Sequence, residues 1–314
     1  MWPCGFTGSS SSARCGVVVS TLLLAGGASD RPAPLRLAIY YGYPSLVNGA
    51  RGDLSAAVAE LSHYDVLVLG DGLEFDTDAS GHAGREEHLF TARLLRQLAR
   101  SPRRPLVFGY IDLGRSQALP PAQIVDRIER WAAMGAGGVF LDEAGYDFGV
   151  TRQRQNDAVA AAHRRGLRVC VNAFRPQDVF GEDAVALNAV GGGNPDGTAP
   201  LLSSRDAILL ESFAFSEGVA EPAPQLLRRT EDALAGRRRF GTQVFAIATG
   251  HEGGEAVTSA HQGWSMASRL GLDAYGWSTP GYGAAASRLP FIAPPVAETS
   301  VRRGGLVTFG KDDR

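Results

Sequence analysis

Gly138-Val139-Phe140-Leu141-Asp142-Glu143-Ala144-Gly145-Tyr146-Asp147 decides the fold. Val139 to Leu141 is the short apolar run of a strand buried on both faces. It stops abruptly at two adjacent carboxylates, Asp142 and Glu143. Residues 151–165 then read as a helix. A buried strand that ends in acid and hands over to a helix is a βα unit with its polar groups at the strand's C-terminal end. In α/β folds that end carries the chemistry. The plainer alternative makes Asp142 and Glu143 loop residues or helix caps.

The same unit recurs on both sides of this stretch. Further apolar runs stand at 37–41, 66–69, 106–111, 167–171, 207–210, 243–248 and 273–277, and helix-like segments lie between them. Asp53 is placed to cap one helix, and Pro120-Pro121 to open another. Alternating strands and helices imply a parallel sheet. Eight such units in about 250 residues predict a single (β/α)8 TIM barrel over 35–293, in the α/β class. An open doubly wound sheet is the alternative, and it normally shows GxGxxG after its first strand. Tyr41-Gly42-Tyr43-Pro44 stands there instead.

Composition narrows the function. The 314 residues are 44% hydrophobic and 20% charged, with a formal net charge of -2, so there is no basic excess for nucleic acid. Cys4, Cys15 and Cys170 are odd in number and lack CxxC spacing, against a zinc site or a disulfide framework. Cys170 reads as a core residue. Residues 1–34 combine Arg14, an apolar run from Val17 to Ala25 and small residues after it. That is the pattern of a cleaved signal peptide, with a disordered leader as the alternative. The run is too short to span a bilayer. The expectation is a secreted or periplasmic protein with no membrane span in its mature form, or a cytoplasmic one if the leader is not a signal. A poorly ordered tail is expected at 294–314.

In a closed barrel all strand ends meet on one rim. The runs deliver Tyr40, Tyr41, Asp71, Glu74, Tyr110, Asp112, Asp142, Glu143, Tyr146, Asn172, Phe174, Glu211, Phe213, His251, Glu252, Trp277 and Tyr282 there, and no lysine. Aromatic faces pack on the C–H faces of sugar rings, and carboxylates bind hydroxyls and move protons. A polysaccharide or oligosaccharide is therefore the expected partner. Its binding set is Tyr40, Tyr41, Asp71, Tyr110, Asp112, Glu143, Tyr146, Asn172, Phe213 and Trp277. Asp142 and Glu211 each follow a wholly apolar run, two strands apart, within reach of a retaining or an inverting spacing. The alternative for Glu211 is a rim ion pair with an arginine. His82 and His88 lack ligand spacing and HExxH is absent, so neither metal nor cofactor is expected. His251-Glu252 and the glycines near the last two strand ends are weak signals for a cation or a phosphate.

FLDEAGYD, the preceding GYIDLG, the later VNAF and the Glu211-Ser212 strand end resemble, in that order, the glycoside hydrolase family 114-like TIM barrels. That group includes the endo-α-1,4-polygalactosaminidases. The opening Tyr40-Tyr41-Gly42-Tyr43-Pro44 is also similar to the related spherulation-specific family. The resemblance covers 35–282. It implies Asp142 as nucleophile, Glu211 as acid/base, a retaining mechanism and an α-linked, galactosamine-containing polysaccharide. Glu211 would then need a raised pKa, which packing against Phe213 would supply. The polygalactosaminidases carry a basic residue near the fifth strand end; Asn172 stands there and implies a different substrate contact. A catalytically idle carbohydrate-binding barrel and a phosphate-binding barrel enzyme are the alternatives.

Overall fold

The computed structural model describes residues 32–70, 72–79, 82–283 and 287–295. Asp71 and nearly all of the expected leader and tail lie outside the described residues.

The apolar runs form strands β1 Leu35–Tyr40, β2 Val66–Leu69, β3 Leu106–Asp112, β4 Gly138–Asp142, β5 Arg168–Asn172, β6 Ala207–Leu210, β7 Gln243–Thr249 and β8 Ala274–Ser278. All eight pair in parallel with their sequence neighbours, and β8 closes on β1. The chain is a single (β/α)8 TIM barrel. Between the strands run α1 Leu54–Leu61, α2 Arg85–Leu98, α3 Pro121–Met134, α4 Arg152–Arg164, α5 Gln177–Phe180, α6 Ala223–Phe240 and α7 Gly254–Leu270. The Asp53 carboxylate accepts from the backbone N–H groups of Ser55 and Ala56, and Thr151 caps α4 in the same manner. Pro121 occupies the first turn of α3.

The strands read as unbroken apolar runs because both of their faces are buried. One set of side chains fills the barrel interior, including Leu37, Ile39, Val68, Phe108, Phe140, Cys170, Leu209, Phe245 and Ile247. The other set, including Tyr40, Leu67, Val139 and Leu141, packs against helix side chains such as Ile128 and Trp131. Cys170 is thus a buried core residue, as its apolar surroundings predict.

Trp131 of α3 lies over Gly109 of β3 and donates its indole N–H to the backbone oxygen of Tyr110 at 3.2 Å. A Cβ at Gly109 would stand 2.0 Å from the Trp131 ring. Gly109→Ala is therefore expected to destabilise the barrel by about 1–3 kcal/mol through overpacking. A urea midpoint equal to that of the wild type would show that α3 can yield.

The fifth unit departs from the pattern. Only one helical turn, α5, follows β5, and residues 181–206 continue without a helix or an extended strand. Gly181 and Gly191-Gly192-Gly193-Asn194-Pro195 deny that segment a helical run, and Gly193 pairs with Thr151 in an isolated bridge. A short antiparallel ribbon, Phe215–Ser216 with Val219–Ala220, follows β6. Among the described residues no helix is long and apolar enough to cross a membrane.

Candidate active site

Side chains alternate across a strand, so the inward positions are set by the interior layer below them. Continuing that layer upward brings Tyr41, Tyr110, Asp142, Asn172 and Glu211 to the C-terminal mouth. Tyr41 and Tyr110 pack on the interior core, and Tyr282 joins them from the turn Pro280–Gly283 after β8. The Tyr41 ring meets Tyr110 edge-on at 5.1 Å and Tyr282 at 5.6 Å. The Tyr41 backbone N–H also donates to the Tyr282 carbonyl at 2.9 Å.

Asn172 joins the two acids. Its Nδ2 donates to Asp142 Oδ1 at 2.8 Å and to Glu211 Oε2 at 3.0 Å. Two carboxylate acceptors require the amide nitrogen, not its oxygen, on that side. The Tyr282 hydroxyl donates to the other Glu211 oxygen, Oε1, at 2.7 Å. Asp142 takes further hydrogen bonds from the Glu143 backbone N–H and from Tyr110.

Burial pushes the Asp142 carboxyl up to about 6. The donors from Asn172, Glu143 and Tyr110 pull it down, and the nearby charge of Glu211 raises it further. Burial first, then the two carboxylates, holds the Tyr41 and Tyr282 hydroxyls well above their ordinary range. Both tyrosines remain neutral donors through neutral pH. Because Glu211 contributes to the rise at Asp142, Glu211→Gln is expected to lower the Asp142 pKa below about 6. A carboxyl-carbon NMR titration reads this directly, and an unchanged midpoint would show the pair to be uncoupled.

The backbone turns sharply after each acid. Glu143 has φ 51° and Ser212 has φ 54°, both left-handed and uncommon for these residue types. These turns let the acid face the mouth while the chain leaves the barrel. Tyr282 shares the conformation, with φ 52°.

Other predicted site residues stand elsewhere. Glu143 turns over the β3–α3 loop, where its carboxylate accepts from the Ser116 backbone N–H at 3.1 Å and from the Ser116 hydroxyl. Asp112 is buried, with the Arg154 guanidinium close enough to feel its charge. Tyr40 belongs to the helix-facing layer and donates to the Tyr43 carbonyl at 3.2 Å. Phe213 lies in that layer against Tyr275, so its ring is not the apolar cover for Glu211 that the sequence led one to expect. Trp277 also faces outward, against Phe215. For Tyr40 and Trp277 a shift of one residue along the strand reverses the face, and for Phe213 the turn at Ser212 does. Tyr146 is buried, accepts from Arg152, and lines a separate cavity of about 360 Å³ with Arg175, Asp178 and Asn188.

Glu74, read as part of an acidic rim, is buried in an ion pair with Arg127. Glu252 pairs with Arg288 at 3.0 Å, and the neighbouring His251 is exposed. Among the described residues no group of three or more His, Cys, Asp or Glu side chains is placed to hold a metal ion. Tyr282 stood on the predicted rim but not in the predicted binding set. Its only signal was the Gly281-Tyr282-Gly283 turn, whose direction no strand periodicity fixes.

No protein-family model matches the chain, and no curated protein matches it. Solved structures of similar shape include 3-dehydroquinate dehydratase from Geobacillus kaustophilus HTA426, at 15% identity over 83% of this chain and 86% of that one, TM-score 0.41. An HpcH/HpaI aldolase from Desulfitobacterium hafniense DCB-2 aligns at 11% identity over 79% and 86%, TM-score 0.42. The lead(II) complex of Haloferax volcanii malate synthase aligns at 14% over 85% and 77%, TM-score 0.45. None of the three is a glycoside hydrolase by name. Likeness at this level accompanies a shared barrel and carries no argument about chemistry.

Proposed function

We propose that the chain is a glycoside hydrolase that cleaves an α-linked polysaccharide, galactosamine-containing polymers first among its substrates, by a retaining two-carboxylate mechanism. The observation that supports it is the single amide of Asn172 bridging Asp142 and Glu211. One amide nitrogen reaches both carboxylates, so the two acids stand across a single side chain from each other, the close pairing that a two-carboxylate glycosidase needs. Three tyrosines beside the pair offer ring surface to a sugar, and the Tyr41 hydroxyl offers a neutral donor.

Asp142 attacks the anomeric carbon as Glu211 gives its proton to the departing oxygen. A glycosyl ester on Asp142 results. Glu211 then takes a proton from water, the water oxygen bonds to the anomeric carbon, and the Asp142 carboxylate is released. Asn172 holds both carboxylates at one separation, and Tyr282 fixes the rotamer of Glu211. An imine route is disfavoured, because no strand, strand end or loop between strands carries a lysine; the chain's one lysine is Lys311, in the sequence after the last strand. With residues 1–34 read as a signal peptide, the reaction takes place outside the cytoplasm.

The test is reducing-end release from a panel of polysaccharides that includes α-1,4-galactosaminogalactan, with wild type and Glu211→Gln side by side. Release by wild type alone supports the reading and names the substrate class. Binding without release favours the idle carbohydrate-binding barrel, and equal release by both removes Glu211 from the chemistry.

A further inference from the structure

Phe174 stands two residues beyond Asn172 and is 52% exposed, an unusual setting for a phenyl ring at the mouth of a barrel. Isolated exposed apolar side chains are ordinary on protein surfaces. This one differs because a buried arginine backs it. The Arg229 guanidinium, from α6, lies 4.9 Å from the centre of the Phe174 ring. Arg229 is only 7% exposed.

The same guanidinium has two other partners. Its Nη1 donates to the Glu221 carboxylate at 2.9 Å, and its Nη2 donates to the backbone oxygen of Glu211. The Glu221 backbone N–H in turn donates to the Ala214 carbonyl at 2.9 Å, which ties Glu221 to the turn after Glu211. One planar cation therefore sets the ring and the acid in a fixed relation. The ring stands one guanidinium away from the Glu211 main chain. Planarity matters here: a guanidinium can stack on a ring and donate in its own plane at the same time, which an ammonium cannot.

We propose that Phe174 is the stacking platform for the sugar ring that leaves with the scissile oxygen, and that Arg229 is the positioning residue that holds platform and acid together. The proposal rests on the glycosidase reading above, which makes Glu211 the proton donor to the leaving sugar. The ligand at this platform is a pyranose that presents a C–H face to the ring. Arg229 covers part of the ring from one side, and the exposed part is left for the sugar. Phe174 is thereby a specificity-determining residue. It acts on the leaving-group side, whereas the three tyrosines stand over the barrel axis.

The experiment uses oligosaccharides cut from α-1,4-galactosaminogalactan, with the full chain and its Phe174→Ala, Phe174→Trp and Arg229→Lys variants. Phe174→Ala is expected to raise KM about tenfold, a larger change than in kcat. Phe174→Trp is expected to restore the wild-type KM, because only a flat ring is needed. Arg229→Lys keeps the charge but loses the paired in-plane donors, so it is expected to raise KM and lower kcat together. A Phe174→Ala variant that is less heat-stable but has an unchanged KM would overturn the proposal and leave the ring a structural role. If wild type releases nothing from these sugars, the glycosidase reading fails by itself. Calorimetric titration of the same oligosaccharides then reads the platform. Weaker binding by Phe174→Ala than by wild type supports it, and equal binding or none by wild type overturns it.

Discussion

Asp142→Asn is expected to lower reducing-end release at pH 7 by at least about a thousandfold, because the nucleophile is lost while the fold is kept. The same substitution is expected to make the protein more heat-stable at pH 8. The folded-state pKa of Asp142 is about 6, raised from 3.8 chiefly by burial. A carboxyl raised in this direction binds its proton more tightly folded than unfolded. Stability from this group is therefore present at low pH, falls as pH rises from 3.8 to about 6, and stays low above that. Asparagine has no proton to lose, so the gain of the variant over wild type is expected to be larger at pH 8 than at pH 4. Thermal unfolding at the two pH values, beside the sugar-release assay, checks both halves. For wild type the need for an ionised Asp142 predicts an acid limb near 6 in the pH profile of kcat/KM. A variant with wild-type turnover would remove Asp142 from the chemistry. A variant that is inactive but destabilised at pH 8 would show that the carboxylate contributes to the fold instead of straining it.

Arg127→Met is expected to destabilise the barrel by about 3–5 kcal/mol, the largest stability effect expected of a single side chain here. The Glu74 and Arg127 side chains are 0% and 4% exposed, and the guanidinium Nε donates directly to the carboxylate. Arg127 also donates to Gln117 at 2.9 Å and lies over the Phe75 ring at 5.5 Å. It thus connects α3 to the segment after β2 and to the loop before α3. Without the arginine a carboxylate remains buried without its main counter-charge, which costs more than the pair itself contributes. The paired replacement Arg127→Met with Glu74→Leu is expected to recover most of the loss, since well-packed apolar groups replace buried ion pairs at little cost. Urea unfolding of the single and double variants measures this. A single-variant loss below about 1 kcal/mol would show that water reaches the pair.

Much of the fold was legible because a closed parallel barrel repeats one pattern. The run at 66–69 and the run at 207–210 are strands with the same bounds, and Glu211 directly follows the second of them. The segment after β5 was less legible, since its glycines break a helix without indicating which path replaces it. Glu74 illustrates a different limit. It is an acid in the loop after a strand, and nothing in its local sequence separates it from an acid on the rim. Only the arrival of Arg127, fifty-three residues away, makes it a buried ion pair and not a rim acid.

The site divides in the same way. Hydrophobic periodicity and length determined the barrel, its strand ends, and the arrival of Asp142, Asn172 and Glu211 on one rim, because those features depend on neighbours within a few residues. Which ring faces the mouth was decided by tertiary structure. Tyr40 and Tyr41 are chemically identical and adjacent, yet the pleat turns one to the helices and the other to the barrel axis. Left-handed turns at Glu143 and Ser212 redirect the chain just after each acid, so strand alternation no longer predicts Phe213. The hydrogen bonds of Asn172 and Tyr282 to the acids, and the arginine behind Phe174, join residues far apart in the chain. Those contacts exist only once the barrel closes, and that same closure buries Asp142 and raises its proton affinity.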